Sequence, residues 1–163
     1  MNLPQAVAFA VLALAVAVAD AQKLPWETNN AQGNAKQFVK FVYPEQVSVA
    51  ANKDSVVELH FAVNPGLHIN SHVPSEKSFI PTQLIVAEPP GITVGPVDFP
   101  PGTDFTSAGE KLSVYTGEFV VRAHVKAKPG EHLVQAALRY QACDALSCYP
   151  PRNAPVAVDV VAK

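Results

Sequence analysis

Two stretches of the chain alternate apolar and polar residues over most of a strand's length. In Ser55–Val63, Val57, Leu59, Phe61 and Val63 alternate with Glu58, His60 and Ala62. In Glu118–Ala127, Phe119, Val121, Ala123 and Val125 alternate with Glu118, Arg122, His124 and Lys126. Successive side chains of a strand point to opposite faces, so this pattern predicts strands with one face buried. Further strands are predicted at Gln46–Ala50, Gln83–Ala87, Ile92–Phe99, His132–Ala142 and Ala154–Val161. Between them lie Asn64-Pro65-Gly66, Pro89-Pro90-Gly91, Pro100-Pro101-Gly102 and Lys128-Pro129-Gly130. Proline and glycine set the backbone angles that turns require. About seven short antiparallel strands with regular turns predict an all-β fold, an immunoglobulin-like antiparallel β-sandwich.

The segment before the strands has a different composition. Ala6 to Ala19 is an unbroken apolar run, shorter than the roughly 20 residues of a membrane span. It ends in Ala19-Asp20-Ala21, a small-x-small cleavage pattern. No Lys or Arg precedes the run, so the expectation of a cleavable signal peptide over residues 1–21 rests on the run and the cleavage pattern. An uncleaved anchor is the alternative. Lys23 to Gln37 is rich in Asn, Gln, Ala and Gly around a lone Trp26 and reads as a flexible lead-in. The predicted organisation is a signal peptide at 1–21, a linker at 22–39 and one domain at 40–163. The product would be periplasmic or secreted.

Charge narrows the partners. The full chain carries a formal net charge of −2, and removing residues 1–21 takes away one acid and no base, leaving −1. No Lys/Arg cluster occurs, which argues against nucleic acid or an anionic membrane surface as a partner.

The two cysteines lie almost together, in Cys143-Asp144-Ala145-Leu146-Ser147-Cys148. A disulfide stabilises chiefly by closing a loop in the unfolded chain. Bridging this pair is worth about 2 kcal/mol in that model, against about 4.7 for a hundred-residue loop. A bond serving only to hold a sandwich together would do better joining distant strands. The spacing suits a pair whose opening and closing is the activity. A local staple and two unpaired thiols are the alternatives left open by spacing alone. If the strand stays regular, Val134, Ala136, Leu138 and Tyr140 share one face, and Gln135, Arg139, Gln141 and Cys143 the other. That places Cys143 on the polar side, at a hairpin tip with both sulfurs near solvent. Asp144 would raise the pKa of a neighbouring thiol, whereas Arg139 and Arg152 would lower it if they fold close.

Tyr140-Gln141-Ala142-Cys143 followed by Cys148-Tyr149-Pro150-Pro151 resembles the two halves of the cysteine motif in the N-terminal periplasmic domain of the thiol:disulfide interchange protein DsbD. The likeness extends more weakly through Val114-Tyr115 and Glu118–Val125 to the Gly66-Leu67 turn, covering residues 40–161. It implies an immunoglobulin-like sandwich with one redox-active pair. By motif position, Cys148 forms mixed disulfides with partners and Cys143 resolves them. The implied partners are thioredoxin-fold proteins and a membrane electron-transfer protein, acting in trans, because this sequence reaches Lys163 with neither a membrane nor a thioredoxin-like domain. The chain would then be a thiol–disulfide oxidoreductase domain that needs no cofactor. The rival expectation is a non-catalytic binding or adaptor module with a structural hairpin disulfide. The family's best-known member spaces its cysteines one residue wider and shields them with a cap loop bearing an aromatic residue. Asp104–Gly109 is the corresponding stretch here, with Phe105 as the candidate cap, Asp104 as a candidate aid to proton transfer, and Gly102 and Gly109 as flanking hinges. Tyr149 is a candidate flank of the sulfurs.

Other chemistry is sparse. His60, His68 and His72 could gather round a metal, but structural or surface roles fit their spacing better, and no metal is expected. A blue-copper centre is disfavoured, because no His follows Cys143 and the only Met is the initiator.

Overall fold

The computed structural model describes residues 36–107 and 109–163. The expected signal peptide and most of the expected linker lie outside the described residues. Twelve strands run in the order β1 (Val39–Tyr43), β2 (Gln46–Val49), β3 (Asp54–Val63), β4 (His68–Asn70), β5 (Gln83–Ala87), β6 (Ile92–Asp98), β7 (Thr103–Ser107), β8 (Glu110–Tyr115), β9 (Glu118–Ala127), β10 (Gly130–Tyr140), β11 (Ala142–Cys143) and β12 (Arg152–Ala162).

They form three four-stranded sheets, in the orders β1-β3-β9-β6, β2-β12-β10-β5 and β11-β4-β8-β7. The first two are the layers of the sandwich. One core cluster joins Val57, Leu59 and Phe61 of β3 and Val121 and Val125 of β9 to Leu138 of β10 and Val156 and Val158 of β12. The alternating residues of β3 and β9 are buried as their period-two pattern requires. All ladders but one are antiparallel. The exception is β2, which runs parallel to β12 in the register Asp159↔Gln46 to Ala162↔Val49. The chain leaves the first sheet after Tyr43 and enters the second at Gln46, across Pro44, which has no N–H to extend a ladder, and Glu45.

The seven strands expected from the sequence are present, and five more were not legible in it. Of these, β4, β7, β8 and β11 build the third sheet. It grows from the end of the sandwich where β3 and β10 finish. Two of them form a hairpin, β7 with β8 in the register Thr103↔Val114 to Ser107↔Glu110. The stretch Asp104–Gly109, expected to be a hinged loop, is therefore largely strand. At Gly102 the chain packs closely, since a Cβ there would run into the side chains of Ser113 and Ser71.

The fifth additional strand, β1, begins at Val39, the last residue of the expected linker. Phe38 and Val39 are buried in the core, held there by Tyr140. Its hydroxyl accepts from the N–H groups of Phe38 (3.1 Å) and Val39 (3.4 Å) and donates to Gln37 Oε1 (3.1 Å). Burial pushes the Tyr140 pKa up, with the two N–H groups opposing that shift in part. Replacing Tyr140 with Phe would strand buried N–H donors, a loss of about 1–3 kcal/mol. Urea unfolding of Tyr140→Phe should show that loss, whereas Tyr43→Phe, at an exposed tyrosine, should stay within about 0.5 kcal/mol of the parent.

Candidate functional site

The strand that carries the first cysteine does not stay regular. The ladder between β10 and β12 ends at Tyr140↔Arg152, and β11 pairs instead with β4, Ala142 with Ile69 and Cys143 with His68. Gln141 is the pivot. Its carbonyl accepts from Asn70 N–H (3.4 Å), its side-chain oxygen accepts from Asn70 Nδ2 (3.3 Å), and its Nε2 donates to the Tyr149 carbonyl (3.2 Å). The break ends the alternation, so Ala142 and Cys143 are both buried, Cys143 with 3% exposure. Cys143 is thus not on the polar face, as regular alternation had predicted. Of the two cysteines only Cys148 is exposed.

Cys143 and Cys148 face each other across an antiparallel bridge and form a disulfide of 2.01 Å, with Cα atoms 3.9 Å apart. Backbone bonds flank the bridge on both sides, from Asp144 N–H to the Ser147 carbonyl (2.9 Å) and from Tyr149 N–H to the Ala142 carbonyl (2.8 Å). That pattern makes the cysteines a non-hydrogen-bonded pair, the position at which facing side chains come closest. The backbone bonds of the hairpin hold the two cysteines opposite each other alongside the disulfide.

Asp144 fixes the tip. Its Oδ1 accepts from the N–H groups of Leu146 and Ser147, both at 2.8 Å, and its Oδ2 accepts from the Tyr149 hydroxyl at 2.7 Å. The Tyr149 bond first, and then the two backbone donors, hold the Asp144 carboxyl below the usual carboxylate range. The same bond pushes the Tyr149 hydroxyl up. A fixed anion therefore stands beside Cys143, and it disfavours a thiolate there. Leu146, at the apex, is 96% exposed.

A cleft of about 340 Å³ opens beside the pair, lined by both cysteines, Asp144, Leu146, His68 and Glu110, among others. His68, opposite Cys143 on β4, has 4% exposure. Burial lowers its pKa, and the Asp144 charge offsets part of that shift.

The structure distributes the other expected residues as follows. Phe105 lies on β7, 37% exposed, with its ring on that of His68 at a centroid distance of 4.7 Å. It covers the histidine and does not line the cleft that holds the sulfurs. Asp104, exposed and paired with Ser113, points to the other face of β7 from Phe105 and is also outside the cleft lining. Tyr149 joins core to tip, its ring 4.6 Å from that of Phe38 and its hydroxyl on Asp144. Neither arginine reaches the cleft. The Arg152 guanidinium lies over Phe38 at 4.6 Å, and Arg139 sits in the ladder opposite Asn153.

The three histidines weighed as metal ligands have separate surroundings. His60 stacks on Tyr43, His68 lies under Phe105, and His72 stacks on Phe99 with its Nδ1 2.9 Å from the Thr82 carbonyl. Sequence reasoning missed His68 as a member of the cysteine site, and it foresaw the Asp144 charge beside the thiols but not the Tyr149 and backbone bonds that hold it. The pairing of β4 with β11 joins residues 75 positions apart (His68 and Cys143), and nothing local in the sequence signals it.

A cysteine hairpin with one sulfur buried and one exposed, at one end of a β-sandwich, fits a thiol–disulfide interchange domain, and comparison with known proteins gives the family. Residues 38–159 match the family described as thiol:disulfide interchange protein DsbD, N-terminal, and the chain belongs to that family. Among solved structures, the chain is similar to the N-terminal domain of DsbD from Neisseria meningitidis in the reduced form. Identity is 19%, over 66% of this chain and 78% of that one, with a TM-score of 0.42. It is also similar to the N-terminal periplasmic domain of ScsB from Proteus mirabilis, at 15% identity over 69% of this chain and 42% of that one, with a TM-score of 0.50. No curated protein matches the sequence.

The buried histidine makes stability depend on pH with a definite sign. Because the folded pKa of His68 lies below its ordinary 6.5, the unfolded chain binds a proton in this range that the folded domain refuses. Stability is then complete above 6.5 and falls as pH drops through the lowered folded value. Urea titrations of the oxidised domain at about pH 7.5 and about pH 5 should show this loss, and His68→Gln should lose less stability between the two. An equal loss in both proteins would assign the dependence to other groups.

Proposed function

We propose that this domain is exported and carries out thiol–disulfide exchange through Cys143 and Cys148, passing reducing equivalents to or from partner proteins in the periplasm. Cys148 is the sulfur a partner meets, and Cys143 resolves the mixed disulfide. The observation that carries this reading is the inequality of the two sulfurs: Cys148 is exposed at a hairpin tip, while Cys143 is buried beneath it. Exchange requires in-line attack of a thiolate on an accessible disulfide sulfur. Membership of the DsbD N-terminal family supports the same chemistry.

The reaction needs no cofactor. A partner thiolate attacks Cys148 Sγ, the Cys143–Cys148 bond breaks, and Cys143 leaves as a thiol once it takes up a proton. In the reverse direction, Cys143 attacks Cys148 and expels the partner's thiolate. The partners we propose are thioredoxin-fold proteins and a membrane electron-transfer protein, both in trans. Export would use residues 1–21 as a cleavable signal, with a linker leading into the domain, whose core takes in Phe38 and Val39 ahead of the expected boundary at residue 40. Within the site, Phe105 acts through its cover on His68 and Tyr149 through its hold on Asp144.

Two observations disfavour the structural-staple reading. The tip is already closed by backbone bonds and by Asp144, and the large sandwich core lies away from it. A Cys143→Ala variant tests the division of labour. Without a resolving thiol, it should accumulate a mixed disulfide through Cys148 with a thioredoxin-fold protein offered as a disulfide. Cys148→Ala should accumulate little, since the remaining sulfur is buried. Trapping by Cys148→Ala alone would reverse the two roles, and trapping by neither would remove the exchange reading.

A further inference from the structure

His68 on β4, Cys143 on β11 and Cys148 on the returning arm of the hairpin form a row. Cys143 pairs with His68 on one side and bridges to Cys148 on the other. Residues directly opposed in antiparallel strands project from the same face, with Cβ atoms about 4.5–5.5 Å apart. All three side chains line the same cleft. Among the described residues, the other ionisable groups in that lining besides the cysteines are the acids Glu110 and Asp144.

Exchange, on the reading above, imposes a proton problem on Cys143. The thiol must lose a proton to attack and regain one when displaced. It is buried beside the Asp144 carboxylate, which works against a free thiolate, and among the described residues no Lys or Arg lines the cleft to oppose that effect. A neutral base at the next position across the ladder removes the difficulty. We propose that His68 takes the proton of the Cys143 thiol as this sulfur attacks, and returns a proton to it when it is displaced.

In the resolving step, Cys143 Sγ attacks Cys148 Sγ of the mixed disulfide as its proton moves to the His68 imidazole. The Cys143–Cys148 bond forms, the bond from Cys148 to the partner sulfur breaks, and the partner departs as a thiolate that takes up the proton. The pair loses two electrons and the partner disulfide gains them. The opposite direction runs through the same atoms, the imidazolium supplying the proton as Cys143 leaves.

The surroundings of the ring suit this use. Burial keeps His68 uncharged at neutral pH and so able to accept, while the Asp144 carboxylate favours the imidazolium once formed. The groups around it are Cys143 and Asp144 from β11 and its turn, Cys148 across the bridge, and Glu110 from β8 in the cleft lining. The uncharged ring of Phe105 covers it from β7. Asp144 is itself held by the Tyr149 hydroxyl.

The test uses the reduced full domain and the aromatic disulfide dithiobis-nitrobenzoate, whose released thiolate needs no proton. A first release of the coloured thiolate reports attack by Cys148, and a second reports resolution by Cys143. At neutral pH, His68→Gln should slow the second phase on the order of 10²-fold and make it climb steeply with hydroxide, with far less change in the first. An unaltered second phase and pH profile in His68→Gln would overturn the role of His68 and leave exchange standing. Absence of the second release in the unmodified protein would overturn both. A further measurement needs no variant: NMR titration of the His68 ring in the unmodified protein. The reduced form should show an inflection from the neighbouring thiol that the oxidised form lacks. Superimposable titrations in the two redox states would also overturn the proposal.

Discussion

At Gln141 the ladder between β10 and β12 gives way, and the next two residues pair with β4 instead. The properties of the cysteine pair follow from this departure. Had the strand continued, Cys143 would stand on the outer face of a sheet, facing water. Because it crosses to β4, Cys143 is drawn under the tip and set against His68, while Cys148, returning on the far side of the turn, stays outside. Asn70 secures the crossing by meeting both the carbonyl and the side-chain oxygen of Gln141. The third sheet is therefore the part of the fold that makes two sulfurs in one short loop chemically different.

Polar contacts then determine what the pair experiences. Asp144 spends its two oxygens on two backbone N–H groups and the Tyr149 hydroxyl, which fixes the turn and places a permanent negative charge beside the cysteines. The arginines that could have countered that charge are committed elsewhere, Arg152 to Phe38 and the Lys36 carbonyl. A carboxylate next to a thiol works against the thiolate, and on the proposed reading the covered His68 stands where the proton would move.

Much of this was legible in the sequence, and the rest has identifiable reasons for being hidden. Period-two alternation gave β3 and β9 residue by residue, since each has one face in the core and one in water. Motif spacing pointed to Cys143 and Cys148. The small sheet left no such trace. In β4, all three residues are buried, so no alternation exists to read, and β7 is almost wholly exposed. The burial of Cys143 could not be extrapolated across Gln141, because a break in the ladder resets which face each residue occupies. His68 could be seen as a histidine after a turn, yet its pairing with Cys143 is a tertiary fact. Phe105 was placed near the site by likeness and stands near it, but over His68 and not in the lining of the sulfur cleft.

The account holds that the bond between Cys143 and Cys148 exists to be opened. Its reduction potential, measured by equilibration of the intact domain with a dithiol–disulfide buffer, tests that claim most directly. Structural disulfides of exported proteins fall below about −300 mV, where they resist reduction by cellular thiols. The account predicts a potential well above about −300 mV, with the folded domain passing reversibly between both states. A value below that limit, or unfolding on reduction, would contradict it and leave a hairpin staple in its place.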